Sequence, residues 1–395
     1  MPQTRSLPQS TSLSHMLDRA RDLAPGLRDR RKETDELRKL PAKTVEEIHE
    51  LGILGAMVPT ELGGSDLGAR AVFEVCTEIA RSNASAAWIA GNWAVHGTLG
   101  AMFPAETTAE LFGSSAGMPT IATGFSPLRA TTELVDGGAV ITGQWDFCSG
   151  INYSDWVVVQ ALTAEGPIAH LIPTSEVEIL DNWDTSGLRG TGSNDVVANG
   201  VFVPGHRLLN MALVGDGNSI GAKTYGTNSL RLPLAQIFGA GVIATVIGSA
   251  LAAIDAFTGR TAESLGGLTG VKRSSRPEVQ HTLGKVAAEV DASISVIRAT
   301  YTEAEECLAA DGTITLDDRV RWRRDIAWSG QTAAGAISRL YEISGARSLF
   351  RGDPLEQAYR DGIAASHHFA LVSDRLYVGY GELMLGATKT DLAMI

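Results

Sequence analysis

At 395 residues, with 44% hydrophobic and 20% charged side chains, the chain can bury a large core and divide into two or three domains. Its 33 basic and 45 acidic side chains leave a formal charge of −12 with no Lys/Arg stripe above the acidic background, which argues against a nucleic-acid partner. Three scattered cysteines, Cys76, Cys148 and Cys307, lack any Cys-x-x-Cys spacing, so neither a disulfide framework nor a metal site is expected and a reducing cytoplasm fits.

In chain order, the opening MPQTRSLPQSTSLSH is polar and has no apolar h-region; it reads as a frayed arm and not as an export signal. The pattern up to about residue 117 is helical. TVEEIHELGILGAM sets Val45, Ile48, Leu51 and Leu54 on one stripe, with Pro59 expected to stop it, and ARAVFEVCTEIARSNASAAWIAGNWAVHGTLGAM continues as one or two apolar helices. Over 118–215 the period becomes strand-like, in AVITGQWDF, DWVVVQAL, PIAHLIP and DVVANGVFVP, separated by Gly, Asn and Pro turns. GDGNSIGAKTYGTN then reads as a linker or mobile loop. Over 216–395 long helical segments return, ending in HHFALVSDRLYVGYGELML, and four of them make an antiparallel bundle. The first, residues 237–254, is uncharged and nearly long enough to span a membrane. Its glycines and small polar residues, and the absence of flanking Lys/Arg clusters, predict a helix buried within the bundle and no membrane. RVRWRRD, residues 319–325, reads as a solvated helix face or subunit contact.

The residues at the joints are more specific. ILGAMVPTELGGSDLGARAVFEVCTEIARSNASAAWI, GLRGTGSNDVVANGVFVP, LGKVAAEVDA and YRDGIAASHH together resemble the acyl-CoA dehydrogenase superfamily, over about residues 30–385. The resemblance implies an α+β fold: an N-terminal α-helical domain (1–117), a central β-barrel (118–215) and a C-terminal four-helix bundle (216–395). It also implies a homotetramer with flavin near subunit interfaces.

A dehydrogenase of this family needs a carboxylate beside the carbon it deprotonates. Alignment on Arg360-Asp361 puts Phe369 where many members carry that Glu, and TGFSPLRAT, residues 123–131, replaces the Thr-Glu-Pro-x-x-Gly-Ser-Asp stretch. What remains resembles the oxygenase component of two-component flavin monooxygenases. Such enzymes take reduced FAD or FMN from a separate flavin reductase and hold a C4a-hydroperoxide formed with dioxygen until an aromatic substrate arrives. The resemblance implies catalytic roles for His368, after the Arg-Asp motif, and for His96 in NWAVHGTL. It also places Ser149 where a hydroxyl meets flavin N5. Histidine suits peroxide chemistry because either ring nitrogen can donate or accept. A satisfied core histidine is the plain alternative for both, and a backbone capper for Ser149.

A reactive oxygenated flavin needs an apolar enclosure, for which Trp88, Trp93, Phe125, Phe147 and Phe369 are candidates. Helical neighbours diverge by about 100°, so His367 is assigned to packing or the surface. The loop from Arg189 to Asn194, with Thr191 and Ser193, suits a passage close to an isoalloxazine edge or a phosphate, or is a plain turn. Arg273, Arg276 and His281 are candidate phosphate ligands. No Gly-x-Gly-x-x-Gly follows a strand, so direct NAD(P)H use is not expected. The favoured function is hydroxylation of a phenolic or indolic substrate. N- or S-oxygenation, a dehydrogenase with a displaced base, and a non-catalytic flavin-binding protein stay open.

Overall fold

The structure, a computed structural model, describes residues 12–113, 117–265 and 270–386, so most of the polar opening arm lies outside the described residues. The chain begins with α1 (Leu13–Asp29), α2 (Arg31–Leu37) and α3 (Ala42–Leu51). α3 stops at Gly52, not at Pro59 as the stripe predicts: Gly52 takes the left-handed conformation (φ 82°) that ends helices, and Leu54 falls in a following 3-10 turn. α4 (Gly68–Ala80) and α5 (Ala84–Gly100) follow, divided by Asn83, whose side chain caps α5 by accepting from Ala86 N at 3.1 Å. α6 (Ala105–Phe112) closes this part. Every residue of α5 is buried except Asn92, so the helix runs through the interior and meets open space only there.

The strands are β1 (Ile121–Gly124), β2 (Ala130–Val135), β3 (Gly138–Trp145), β4 (Trp156–Thr163), β5 (Gly166–Pro173), β6 (Glu178–Leu180), β7 (Asp195–Pro204) and β8 (Leu208–Asn210). They form two four-stranded sheets, ordered β1-β4-β5-β8 and β2-β3-β7-β6, in the sheet-rich central region where the resemblance implies a β-barrel. Trp145, Val157, Ile172 and Val196 fill the space between them, and the Trp145 indole N–H reaches Gln160 O at 2.8 Å. β1 runs parallel to β4, Ile121 opposite Trp156, which lays its inner edge along α5.

The segment predicted as a linker is instead folded into α7 (Met211–Gly215), α8 (Ile220–Tyr225) and α9 (Asn228–Arg231), each short because Gly217 and Gly226 turn the chain at positive φ. The bundle comprises α10 (Leu234–Glu263), α11 (Pro277–Ala309), α12 (Leu316–Glu342), α13 (Pro354–Ser366) and α14 (Ser373–Met384). α10 is the apolar helix read from the sequence, and it is buried where it crosses α5. The crossing is glycine on glycine: a Cβ on Gly91 would stand 2.8 Å from Gly241 Cα, so the backbones touch and fix α5 against α10.

Two predicted features of the bundle are corrected. The helix does not continue through the paired histidines: α13 ends at Ser366, and His367 and His368 occupy the break before α14, where His368 caps a 3-10 turn by accepting from Ala370 N. Nor is residues 319–325 a solvated face throughout. Arg321 pairs with Glu303 and Arg324 lies over Tyr380 at the outside, but Trp322 and Arg323 point inward and are 1% and 2% exposed.

Candidate active site

α5 presents Trp88, Asn92 and His96 at four-residue spacing on one stripe. His96 is 3% exposed and held at both ring nitrogens. Nδ1 lies 2.8 Å from the Ile121 carbonyl, which only accepts, so Nδ1 carries the hydrogen. Nε2 therefore accepts, and its partner at 3.1 Å is the Thr123 hydroxyl of β1. Burial pushes the ring pKa down to about 4, so it is neutral at physiological pH. Phe238 of α10 and Phe125 stand at 5.5 and 6.5 Å from its centroid and 4.9 Å from each other, an aromatic wall at the glycine crossing.

Trp88 joins a second group. Its indole N–H donates to Ser149 Oγ at 3.0 Å; Ser149 is 2.8 Å from Ser193 Oγ, which is 2.7 Å from Thr191 Oγ1. Thr191 donates to the Leu188 carbonyl at 2.9 Å, which fixes the direction of the whole chain. Each hydroxyl has one hydrogen, so Ser193 donates to Thr191 and Ser149 to Ser193. The Ser149 oxygen, with its hydrogen turned inward, faces outward as an acceptor.

His368 completes the group, its ring 5.4 Å from Trp88 in an edge-on contact. Its Nδ1 accepts from Ala370 N at 3.2 Å, so the neutral ring carries its hydrogen on Nε2, as a donor. Enclosure by protein first, and the Arg323 guanidinium second, push its pKa down to about 3, although the ring is only half-buried because it borders the opening. His367, by contrast, is exposed and turns Nδ1 back to Ile363 O at 2.7 Å.

The Arg360-Asp361 motif holds the wall in place. Asp361 accepts from Leu188 N at 2.8 Å, and Arg360 donates to Ser186 O at 2.6 Å and to Asp35 at 3.0 Å, clamping the 183–194 loop to α13. Burial raises the Asp361 pKa to about 6. Leu188 (φ 52°) and Phe147 (φ 62°) both sit in left-handed backbone here, the strained geometry that gathers at functional sites. Phe147 is 69% exposed and stands edge-on to Trp183 at 6.1 Å, two residues from Ser149. A bare aromatic ledge beside a chain of hydroxyls fits a planar ring system with a polar edge, such as an isoalloxazine.

Other sequence candidates are placed elsewhere. Trp93 is not a pocket wall with Trp88: five residues on, it faces away, donates to Ser154 Oγ at 3.2 Å and packs on His49. His49 lines a separate cavity of about 320 Å³ with Glu110, Asp155 and Trp156. Arg189 fastens its own loop, donating to Asp35 O, Asp184 and Thr185 O. Arg273 caps the end of α12 through the carbonyls of Ile343 and Ser344. His281 is exposed on α11, with no contact to the Ser149 chain. Phe369 is adjacent to His368 but 45% exposed. Thr123, Phe238, Trp183 and Arg323 escaped the sequence reading; only Thr123, inside the divergent TGFSPLRAT stretch, carried any signal. Among the described residues no carboxylate hydrogen-bonds to His96, His368, Ser149 or Trp88.

Residues 13–109 match the family model for the acyl-CoA dehydrogenase N-terminal domain, and residues 240–373 that for the C-terminal domain. The chain is 30% identical over 376 residues, 94% of its length and 95% of the relative's, to a flavin-dependent monooxygenase oxygenase subunit, HsaA, of Mycobacterium tuberculosis. It is 27% identical over 386 residues to the oxygenase component of an FADH2-dependent resorcinol hydroxylase of Rhizobium sp., with 94% of each chain covered. The crystal structure of the M. tuberculosis HsaA monooxygenase superposes with a TM-score of 0.90, at 28% identity, over 97% of this chain and all of that one. The chain therefore belongs to the acyl-CoA dehydrogenase superfamily, in its branch of flavin-dependent monooxygenase oxygenase subunits.

Proposed function

We propose that the chain hydroxylates a phenolic or indolic aromatic with dioxygen, using reduced flavin delivered by a separate flavin reductase, and that it works as a tetramer in the cytoplasm. The observation that carries this reading is the pair of neutral histidines, one saturated and one with an open donor, beside the rings of Trp88, Phe125 and Phe238, with no carboxylate hydrogen-bonded to either among the described residues. The naming of relatives as oxygenase components, including a resorcinol hydroxylase, supports it.

Reduced flavin, when bound, supplies the two electrons with which one oxygen atom enters the substrate and the other leaves as water. The chain's residues do the rest. Phe147 and Trp183 offer the stacking ledge, and the Ser149 oxygen offers an acceptor to a ring N–H, which reduced flavin has at N5 and oxidised flavin lacks. His368 directs Nε2–H into the opening, where it can hold a developing oxyanion. Thr123 gives its hydrogen to His96, so its lone pairs are free to receive the substrate's O–H or N–H. A proton drawn from substrate then passes through Thr123 to His96 Nε2. Phe125, Phe238 and Trp88 keep water from the reacting atoms.

Rapid mixing of the protein and reduced flavin with dioxygen tests this. A long-lived absorbance distinct from both oxidised and reduced flavin is expected; immediate return to oxidised flavin with stoichiometric free peroxide, with or without an aromatic substrate, refutes it.

A further inference from the structure

Arg323 of α12 is a buried cation without an anion. It is 2% exposed, its Nε has no partner, and its Nη1 reaches only the Ala235 carbonyl at 3.4 Å. Among the described residues no carboxylate pairs with it. Ala235 lies in the first turn of α10, whose N–H groups already concentrate positive charge. Beside it, Gln236 Oε1 is also buried and unpartnered. One turn further along α10 is Phe238, in ring contact with His96. Arg323 is also close enough to His368 to lower the pKa of that ring, second to burial. Two sources of positive charge thus converge beside Phe238, faced by the neutral Tyr301 hydroxyl, which donates to Gln236 O at 3.1 Å, and by no carboxylate among the described residues. A buried unpaired charge costs several kcal/mol of order, and a protein retains one where a ligand supplies the counter-charge.

We propose that Arg323 is the anion-binding group of the substrate pocket, receiving a carboxylate or ionised phenol oxygen of the aromatic substrate. The inference rests on the aromatic-hydroxylase reading and deepens it, by giving the substrate class a negative charge. Arg323 also adds, after burial, to what keeps His368 an uncharged donor, and it is the charge that the substrate meets.

Binding measurements on the full-length protein test the proposal without turnover. The probes are 3-(4-hydroxyphenyl)propanoate against its primary amide, by calorimetry, and 4-nitrophenol, whose ionisation is followed by its visible absorbance. For at least one probe, the wild type should favour the anion at least about tenfold, as expected of a charge-assisted hydrogen bond. Arg323→Met should abolish that preference and Arg323→Lys keep part of it. Because Met removes an unpaired buried charge, the unliganded Arg323→Met protein should melt no lower than wild type. No anion preference in the wild type, or its persistence in Arg323→Met, overturns the proposal. So does a lower melting temperature in Arg323→Met with binding unchanged, the mark of a structural arginine. If Arg323→Met instead weakens reduced flavin and leaves ligand preference intact, the anion is the flavin's and the substrate assignment fails. Loss of the long-lived flavin absorbance in the wild type would sink the oxygenase reading alone, because the binding comparison does not depend on it.

Discussion

The two histidines of the site occupy opposite kinds of structure. His96 sits in mid-helix on α5, where the chain is held on every side, and both of its nitrogens are consumed by β1, one by the Ile121 carbonyl and one by Thr123. His368 sits in a break between α13 and α14, where its Nδ1 is spent capping the turn and its Nε2–H is left over. A regular element can satisfy an imidazole completely, whereas a chain break satisfies one side and aims the other. His96 can therefore act only through the hydroxyl that occupies it, and His368 can act directly.

The strongest way to break that comparison is to remove the direct actor. His368→Ala should lower hydroxylation at least about 100-fold, the scale of a lost proton-transfer or oxyanion donor, with electrons diverted to free peroxide. Reduced-flavin affinity should stay within about threefold, because Ser149 and Phe147 lie on other elements. Product analysis with peroxide quantitation checks this. An equal loss in His367→Ala with a healthy His368→Ala would reverse the assignment.

The indirect actor is tested at its hydroxyl. Thr123→Val strands the Nε2 lone pair of His96 in a dry site, a loss of about 1–3 kcal/mol in stability, and removes the relay, with about a tenfold fall in turnover. Thr123→Ser should restore both. If Thr123→Val loses stability but turns over normally, Thr123 packs the ring and relays nothing. Urea denaturation and steady-state kinetics on the three proteins separate these outcomes.

A smaller effect is expected at Trp88, which touches both halves. Trp88→Phe keeps the ring against His368 but deletes the N–H to Ser149. Freed on one side, the Ser149 hydroxyl can turn, so the preference for reduced over oxidised flavin should shrink severalfold while stability changes by about 1 kcal/mol. Titration of both flavin forms reads this directly; an unchanged ratio would mean that the hydroxyl chain from Thr191 alone sets the polarity.

How far the sequence shows this site follows from how local each feature is. The apolar run of α10, the four long strands and the apolar helices of residues 69–102 rest on local pattern, and each is where that pattern puts it. His96, Ser149 and His368 came from motif position, and the structure brings Trp88 to both Ser149 and His368. The missed features depend on partners distant in sequence. Arg323 looks like one of four arginines around a tryptophan, and only the packing of α12 against α10 selects it for burial. Thr123 matters because β1 pairs parallel to β4 beside α5, and a four-residue strand has too few positions to show alternation. The helix ends at Gly52 and Ser366 were overrun because an apolar stripe continues past them, while the backbone turns at a glycine in one case and at a capping histidine in the other.

The finest test of the comparison is stability against pH, because it reads whether the imidazoles are neutral in the fold. His96 and His170 are pushed down to about 4 and His368 to about 3 by burial, from an ordinary value of 6.5. On acidification below about 6.5 the unfolded chain protonates these rings and the folded one does not, so the unfolded state binds more protons and stability falls with pH. Asp361, raised to about 6, acts the other way, as do Asp66 and Glu305, which burial raises by less: the folded carboxyl takes a proton that the unfolded one still lacks. The three strongly depressed histidines outweigh the raised carboxyls and leave a net loss between pH 6.5 and 5. Urea midpoints at pH 7, 6 and 5 should therefore decline, and His96→Gln should flatten the decline by roughly half. A profile that rises toward pH 5 would mean that at least two of the rings are charged in the fold. His368 would then be a cation facing Arg323, and the division between a saturated ring and a neutral donor would be wrong at its more important end.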